Sequence, residues 1–406
     1  MVVLGIISEY NPFNNGHLYH LRRSKEITKA DAAIDIMSGN FTQRGEPALF
    51  DKWVRAEAAI KSGVNLVIEL PVCYATSSAE LFSYGAVSLL DRLGIVDYIS
   101  FGSEEGNMKN LLNISDLLAN ESELFKIYLR NFLKDGNSFA KARQLSLERL
   151  GIDAGPIRSP NNILGIEYLK WLNRLNSVIK PVTVKRIGSE YNQQVLSKDT
   201  FVSSATSIRK ALSNSDLPAI KNHIPEDSYE VLRKNIMSGK MPIFKKSMEE
   251  IIFYNLLKDN DLKEIFDVSE GLNKRIKHMV YKSNSLENLL SNIKTKRYAY
   301  SRISRILFHS LLHYTKEEAN IFNETGPLYA RILGFDSVGR ELIKNIDNHC
   351  SLTLVTNVSK QYSRLDSTAK KMLDKDILAT DLYSLISTNN KIKLSRDFIK
   401  RPVIIS

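Results

Sequence analysis

Cysteine is almost absent: Cys73 and Cys350 are the only two in 406 residues. So few thiols exclude a disulfide framework and fit a reducing compartment such as the cytoplasm. Neither lies in a CxxC pair or a Cys/His cluster, so no structural zinc site and no all-protein metal cage is expected. Long apolar runs are missing as well. No stretch approaches the roughly eighteen residues that a membrane helix needs, so no membrane partner is expected. Met1–Ile7 is apolar, but no basic segment precedes it, and Glu9 and Asn11 follow at once. It reads as a buried first strand rather than a leader peptide. Low-complexity tracts and internal repeats are absent too.

What remains is an ordinary globular composition, 43% hydrophobic and 25% charged, with a length that suits two to three domains. The formal net charge is +11, and it is unevenly placed. Residues 221–406 hold 31 Lys and Arg against 22 Asp and Glu, whereas 1–220 are nearly neutral, at 25 against 23. Within 271–310 there are nine basic residues and one acidic one. A localised excess of this kind points to a polyanionic partner, and RNA fits better than a membrane surface.

Short apolar runs alternate with helical patterns over the first 210 residues. Val2–Ile7, Ala32–Met37, Leu66–Leu70, Tyr98–Phe101 and Val182–Ile187 read as strands. Gly16–Lys29, Asp51–Ser62 and Ser77–Leu90 read as helices. Continuous apolar strands between helices predict an α/β fold, a doubly wound parallel sheet with both faces covered. Ligands bind such sheets at the carboxyl ends of the strands. Strand signals become rare beyond Asp216, where Ser228–Ile236, Ser247–Leu257, Ser285–Ile293, Arg297–His313 and Ser367–Ile386 look helical. The expected division is a nucleotide-binding domain over 1–220 and a basic, mainly helical domain over 221–406.

The first strand runs into Ser8-Glu9-Tyr10-Asn11-Pro12-Phe13-Asn14-Asn15-Gly16-His17. Asn11-Pro12 starts a turn, and Asn14 or Asn15 can cap the next helix. The free N–H groups of a helix start form an anion site suited to a polyphosphate. His17 falls in the first turn and His20 one turn later, where an imidazole can donate to charge developing on a phosphate. Val202-Ser203-Ser204-Ala205-Thr206-Ser207-Ile208-Arg209 offers hydroxyls, a second helix start and a fixed cation.

Asn14-Asn15-Gly16-His17 resembles the HxGH signature of the HIGH nucleotidyltransferases, with Asn14 at the first histidine's place. Ser203 to Arg209 resembles their SSTxIR element. Met37-Ser38-Gly39-Asn40-Phe41-Thr42-Gln43-Arg44-Gly45-Glu46-Pro47, Phe101-Gly102-Ser103-Glu104 and Pro160-Asn161-Asn162-Ile163-Leu164-Gly165-Ile166-Glu167-Tyr168 narrow the likeness. Together these strings resemble the bacterial tRNA(Met) cytidine acetate ligase family. The resemblance implies an ATP-dependent ligase that makes acetyl-adenylate from acetate. It then acetylates N4 of the wobble cytidine of elongator tRNA(Met), with Mg2+ carried by the ATP.

On that resemblance ATP is bound by Ile7, Ser8, Glu9, Tyr10, Asn11, Pro12, Phe13, Asn14, Asn15, Gly16, His17, Leu18, Tyr19 and His20. Gly102, Asn161 or Asn162, Arg186 and Thr206 complete the set, and His17, His20 and Arg209 are the candidate catalytic groups. The loop over 38–55 is expected to shape the acetate end or admit the cytidine, while Lys52 and Arg55 are read as phosphate contacts or a solvated face. Lys274, Arg275, Lys277, Lys294, Lys296 and Arg297 are candidate RNA contacts, with Lys282, Arg302 and Arg305 beside them and Tyr298 and Tyr300 as stacking candidates. A small-molecule nucleotidyltransferase or another carboxylate-activating ligase is the alternative. It has no need of the basic half.

Overall fold

In the computed structural model an eight-stranded sheet organises the chain. The structure describes residues 1–187, 202–258, 261–269, 271–296, 298–387 and 392–406. The strands are β1 (Val3–Ser8), β2 (Ala32–Ser38), β3 (Leu66–Leu70), β4 (Tyr98–Ser103), β5 (Lys180–Lys185), β6 (Tyr329–Phe335), β7 (Thr353–Val355) and β8 (Val403–Ile404). Their order is β5-β4-β1-β2-β3-β6-β7, with β8 on β6. The first five are parallel.

Residue alternation explains why the sheet is covered on both sides. Ala32, Ile34 and Ile36 of β2 enter one apolar core, and Ala33 and Met37 enter the other. Every residue of β2 and β3 is buried. Five helices frame the strand ends: α1 (Asn15–Thr28), α2 (Lys52–Lys61), α3 (Ala79–Arg92), α4 (Pro160–Arg174) and α5 (Ala205–Ser213). Gly165 lets α4 lie against the sheet, since a Cβ there would come within 2.4 Å of the Phe101 ring on β4.

Beyond residue 216 helices dominate, among them α6 (Leu286–Ile293) and α7 (Tyr300–Leu311). One of the two cores runs from the sheet into these helices without a break. Tyr329–Phe335 departs from the expected run of helices. It forms β6, which pairs antiparallel with β3 and carries β7 and β8. Arg331 interrupts its apolar pattern, and that charge is neutralised by Glu69 at 3.4 Å and Asp397 at 2.6 Å.

Candidate active site

The chain leaves β1, crosses to β2 and β3 on one side, then returns to β4 on the other side of β1. Beside that reversal of strand order lies a cleft of about 630 Å³, lined by Ile7, Ser8, Gly102 and Lys185 from the ends of β1, β4 and β5. Seven cations line it (Arg44, Lys185, Arg186, Arg209, Lys210, Lys245 and Lys246) against two carboxylates, Glu9 and Glu46. That balance suits a polyanion.

Asn14 is the N-cap of α1. Its side chain accepts from the His17 N–H at 3.0 Å, while His17 Nδ1 accepts from the Asn14 N–H at 3.1 Å. This reciprocal cap decides the tautomer: with Nδ1 an acceptor, the neutral ring carries its hydrogen on Nε2. Burial, then the nearby Arg186 and His20 charges, push the His17 pKa down to about 3. His20 is pushed to about 4 by burial and Arg186, and its Nε2 lies 3.0 Å from Ser100 Oγ. Both are therefore neutral donors or acceptors near pH 7 in the free protein.

The second helix start lies across the cleft. Ser204 caps α5 by accepting from Ser207 N–H. Arg209 reaches back to Asn11 O at 3.2 Å and to Thr206 Oγ1 at 2.9 Å, tying α5 to the β1 loop. On the third side a Cβ at Gly102 would meet the Arg186 stem at 3.2 Å. The two asparagines of α4 part company here. Asn162 is buried and bound to the Glu104 backbone, whereas Asn161 lines the cleft, 3.5 Å from an Arg186 guanidinium nitrogen.

Most of the expected nucleotide residues converge on this cleft: Ile7 to Asn11, Asn14, Gly16, His17, Tyr19, His20, Gly102, Asn161, Arg186, Thr206 and Arg209. Pro12 is not among the lining residues, and Phe13 and Leu18 pack against the second core. Asn15 instead donates to Asn222 O at 2.9 Å.

Lys52 and Arg55 are neither phosphate contacts nor solvated. Lys52 Nζ is fully buried, 2.8 Å from both Glu69 and Asp397. Arg55, 1% exposed, donates to the backbone oxygens of Glu9, Phe50, Ser38 and Gly39. It holds the ends of β1 and β2 in register with the loop. Of that loop, Thr42, Gln43, Arg44, Glu46 and Pro47 reach the cleft, while Phe41 stacks on Phe308 at 4.1 Å. Cys73 is buried away from the lining, and burial pushes its thiol pKa up.

In the basic segment Lys274, Lys277, Lys282, Lys294 and Lys296 are exposed. Arg275 instead ties two helices together by donating to Ile293 O at 2.7 Å and Asn292 O at 2.6 Å. Arg302 and Arg305 are engaged with Asp267. Arg297 lies outside the described residues. Tyr298 is not a stacking platform, because it is buried in the helical core, whereas Tyr300 is half-exposed. Sequence reading missed Lys245 and Lys246, which come to the cleft from the helical half. No local signal marks them, because only the tertiary fold brings them there.

The HIGH nucleotidyl transferase model matches residues 1–397. The chain belongs to that family. Over 404 residues it is 47% identical to the tRNA(Met) cytidine acetate ligase of Thermoanaerobacter sp. strain X514, covering 98% of each chain. It is 42% identical to that of Clostridium perfringens strain ATCC 13124, over the whole of both chains. Thermotoga maritima TmcAL, solved bound with alpha-thio ATP, is 35% identical and superposes over both full chains with a TM-score of 0.93.

Proposed function

We propose that this protein activates acetate with ATP and passes the acetyl group to N4 of the wobble cytidine of elongator tRNA(Met). The observation that carries the reading is the cationic cleft at the strand reversal, with His17 and two helix starts around it. Full-length relatives named for that activity, one of them crystallised with an ATP analogue, supply the particular substrates.

In the first step an acetate oxygen attacks the α-phosphorus in line, and pyrophosphate leaves. The protein's part is positioning and charge stabilisation. Nε2–H of His17 donates to the α-phosphate as charge develops. Arg186 and Arg209, with the N–H groups of α1 and α5, hold the phosphate chain. Asn161 faces the adenosine. In the second step the N4 amine attacks the acyl carbon, AMP leaves, and the nitrogen loses a proton. Among the described residues no group of three His, Cys, Asp or Glu side chains is placed to hold a metal. Of the two lining carboxylates, Glu9 already accepts from Gln43 N–H. Mg2+ would arrive with the ATP, where it would neutralise phosphate charge.

In this reading residues 1–220 carry the adenylation, and 221–406 bring the RNA, in the cytoplasm. No helix among the described residues is long and apolar enough to cross a membrane. The test is acetate-dependent exchange of labelled pyrophosphate into ATP, with and without tRNA. Exchange that needs acetate supports the reading. Exchange driven by some other carboxylate, indifferent to acetate, overturns it.

A further inference from the structure

The cleft continues past the strand ends into a mouth whose two sides come from distant parts of the chain. One side is a hairpin closed by the Phe41–Pro47 bridge, with Thr42 N–H donating to Glu46 O and Gly45 N–H to Thr42 O, both at 2.9 Å. The other side is Phe244–Lys246, with Tyr300 at the start of α7 beside it.

The mouth is preformed. Gly45 has φ +68°, and a Cβ there would lie 2.8 Å from Arg305 Cα, so the hairpin tip sits directly on the α7 backbone. Lys245 bridges the two sides: its Nζ is 4.2 Å from the Tyr300 ring centre, 3.5 Å from Glu46 and 3.8 Å from Glu287. Its charge is thereby spent on holding the walls together.

Two side chains at this mouth have polar ends with no partner among the described residues. Lys246 lines the cleft, is exposed, and has no partner among the described residues. Gln43 is fixed by its backbone N–H on Glu9 Oε1 at 2.7 Å, yet its side-chain Nε2 is shielded from solvent and finds no acceptor among the described residues. A shielded donor without an acceptor is costly, and a ligand that supplies one removes the cost. The nucleotide side already has its own cations and helix starts, so the acceptor for Gln43 is looked for in the second substrate. Cytosine offers N3 and O2 beside the N4 amine. A donor to N3 would both select cytosine over uracil, whose N3 carries a hydrogen, and aim N4 inward, whereas O2 is an acceptor in both bases. Lys294 and Lys296 are exposed on the connection between α6 and α7, within six residues of Tyr300 at the mouth.

We propose that this mouth is the acceptor-nucleotide subsite: the Gln43 amide donates to the N3/O2 edge of the target cytosine, and Lys246 holds a phosphate of the same RNA strand, which runs on toward Lys294 and Lys296. The proposal rests on the ligase reading above and deepens it.

The test uses full-length wild type, Gln43→Leu, the near-isosteric Gln43→Glu, and Lys246→Glu. Acetyl-adenylate formation without RNA and acetylation of tRNA(Met) are measured separately. The two Gln43 variants are expected to lose roughly tenfold or more in acetyl transfer, the size of one lost base-edge bond, with adenylate formation within about twofold of wild type. Lys246→Glu is expected to raise the KM for tRNA roughly tenfold and to reduce the slope of log affinity against log salt by about one. Parallel loss of adenylate formation in the Gln43 variants would assign that amide to ATP or acetate and overturn the proposal. An unchanged KM and salt slope in Lys246→Glu would overturn the RNA path. Failure of wild type to acetylate tRNA at all would instead sink the ligase reading itself.

Discussion

Replacing His17 with alanine removes two things at once, and their sizes differ enough to separate. The first is half of the cap of α1, since His17 Nδ1 no longer accepts from the Asn14 N–H. Such caps are worth about 1 kcal/mol. In a chain of this size that lowers the melting temperature by about 1 °C and leaves nearly all the protein folded. The second is the Nε2–H donor on the cleft. Loss of one preorganised donor to a developing oxyanion costs about 10²–10³ in rate. His17→Ala should therefore exchange pyrophosphate at least a hundredfold more slowly, with an almost unchanged melting curve. His17→Gln restores a capping acceptor at the same position, so it should regain the melting temperature and remain at least roughly tenfold slow. Because burial and Arg186 push the His17 pKa of the free protein down to about 3, the ring is neutral before ATP binds, and the wild-type exchange rate at subsaturating ATP should show no acidic limb from it between about pH 5 and 8. An Ala variant within threefold of wild type would refute the reasoning. So would a Gln variant that recovers full activity along with stability.

Three further outcomes follow from the packing. His309 is fully buried, 3.0 Å from Thr76 O, with its pKa pushed down to about 3 by burial and Arg305. A folded pKa below the unfolded value leaves stability constant above about pH 6.5 and lowers it by about 1.4 kcal/mol per pH unit as pH falls toward 4. His309→Gln should flatten that slope by about one proton in pH-dependent urea melts, and an unaltered slope would count against it. Lys52→Met leaves the buried carboxylates of Glu69 and Asp397 to share the single charge of Arg331, a loss of about 3–5 kcal/mol that calorimetry should register as a fall of about 4–6 °C. A fall under 2 °C would mean that the carboxylates find other partners. Gly45→Ala forces a side chain at φ +68° against α7, so acetyl transfer should fall while adenylate formation persists. Equal retention of both would show that the hairpin position is immaterial.

Local chemistry made much of this molecule readable in advance. The apolar runs Ala32–Met37 and Leu66–Leu70 specify buried strands from sequence alone, and Gly16-His17 marks a helix start whatever its partners. Asn14, at the place of the signature histidine, caps the helix directly. What stayed hidden depends on residues far apart in the chain. Lys52 and Arg331 look like surface charges until Glu69 and Asp397 meet them, and Asp397 is 345 positions beyond Lys52. The same separation hid β6, because a strand with a central arginine reads as buried only once its counterions are known. Lys246 reaches the cleft through the packing of the helical half, which no sequence period encodes.

The measurement that tests the account most directly combines the purified protein with ATP, Mg2+, isotopically labelled acetate and tRNA(Met), followed by mass analysis of the nucleosides. Labelled N4-acetylcytidine should appear only when ATP and acetate are both present. If every nucleoside stays unmodified while pyrophosphate is released with another carboxylate, the account is contradicted, and the cleft serves a small-molecule ligase.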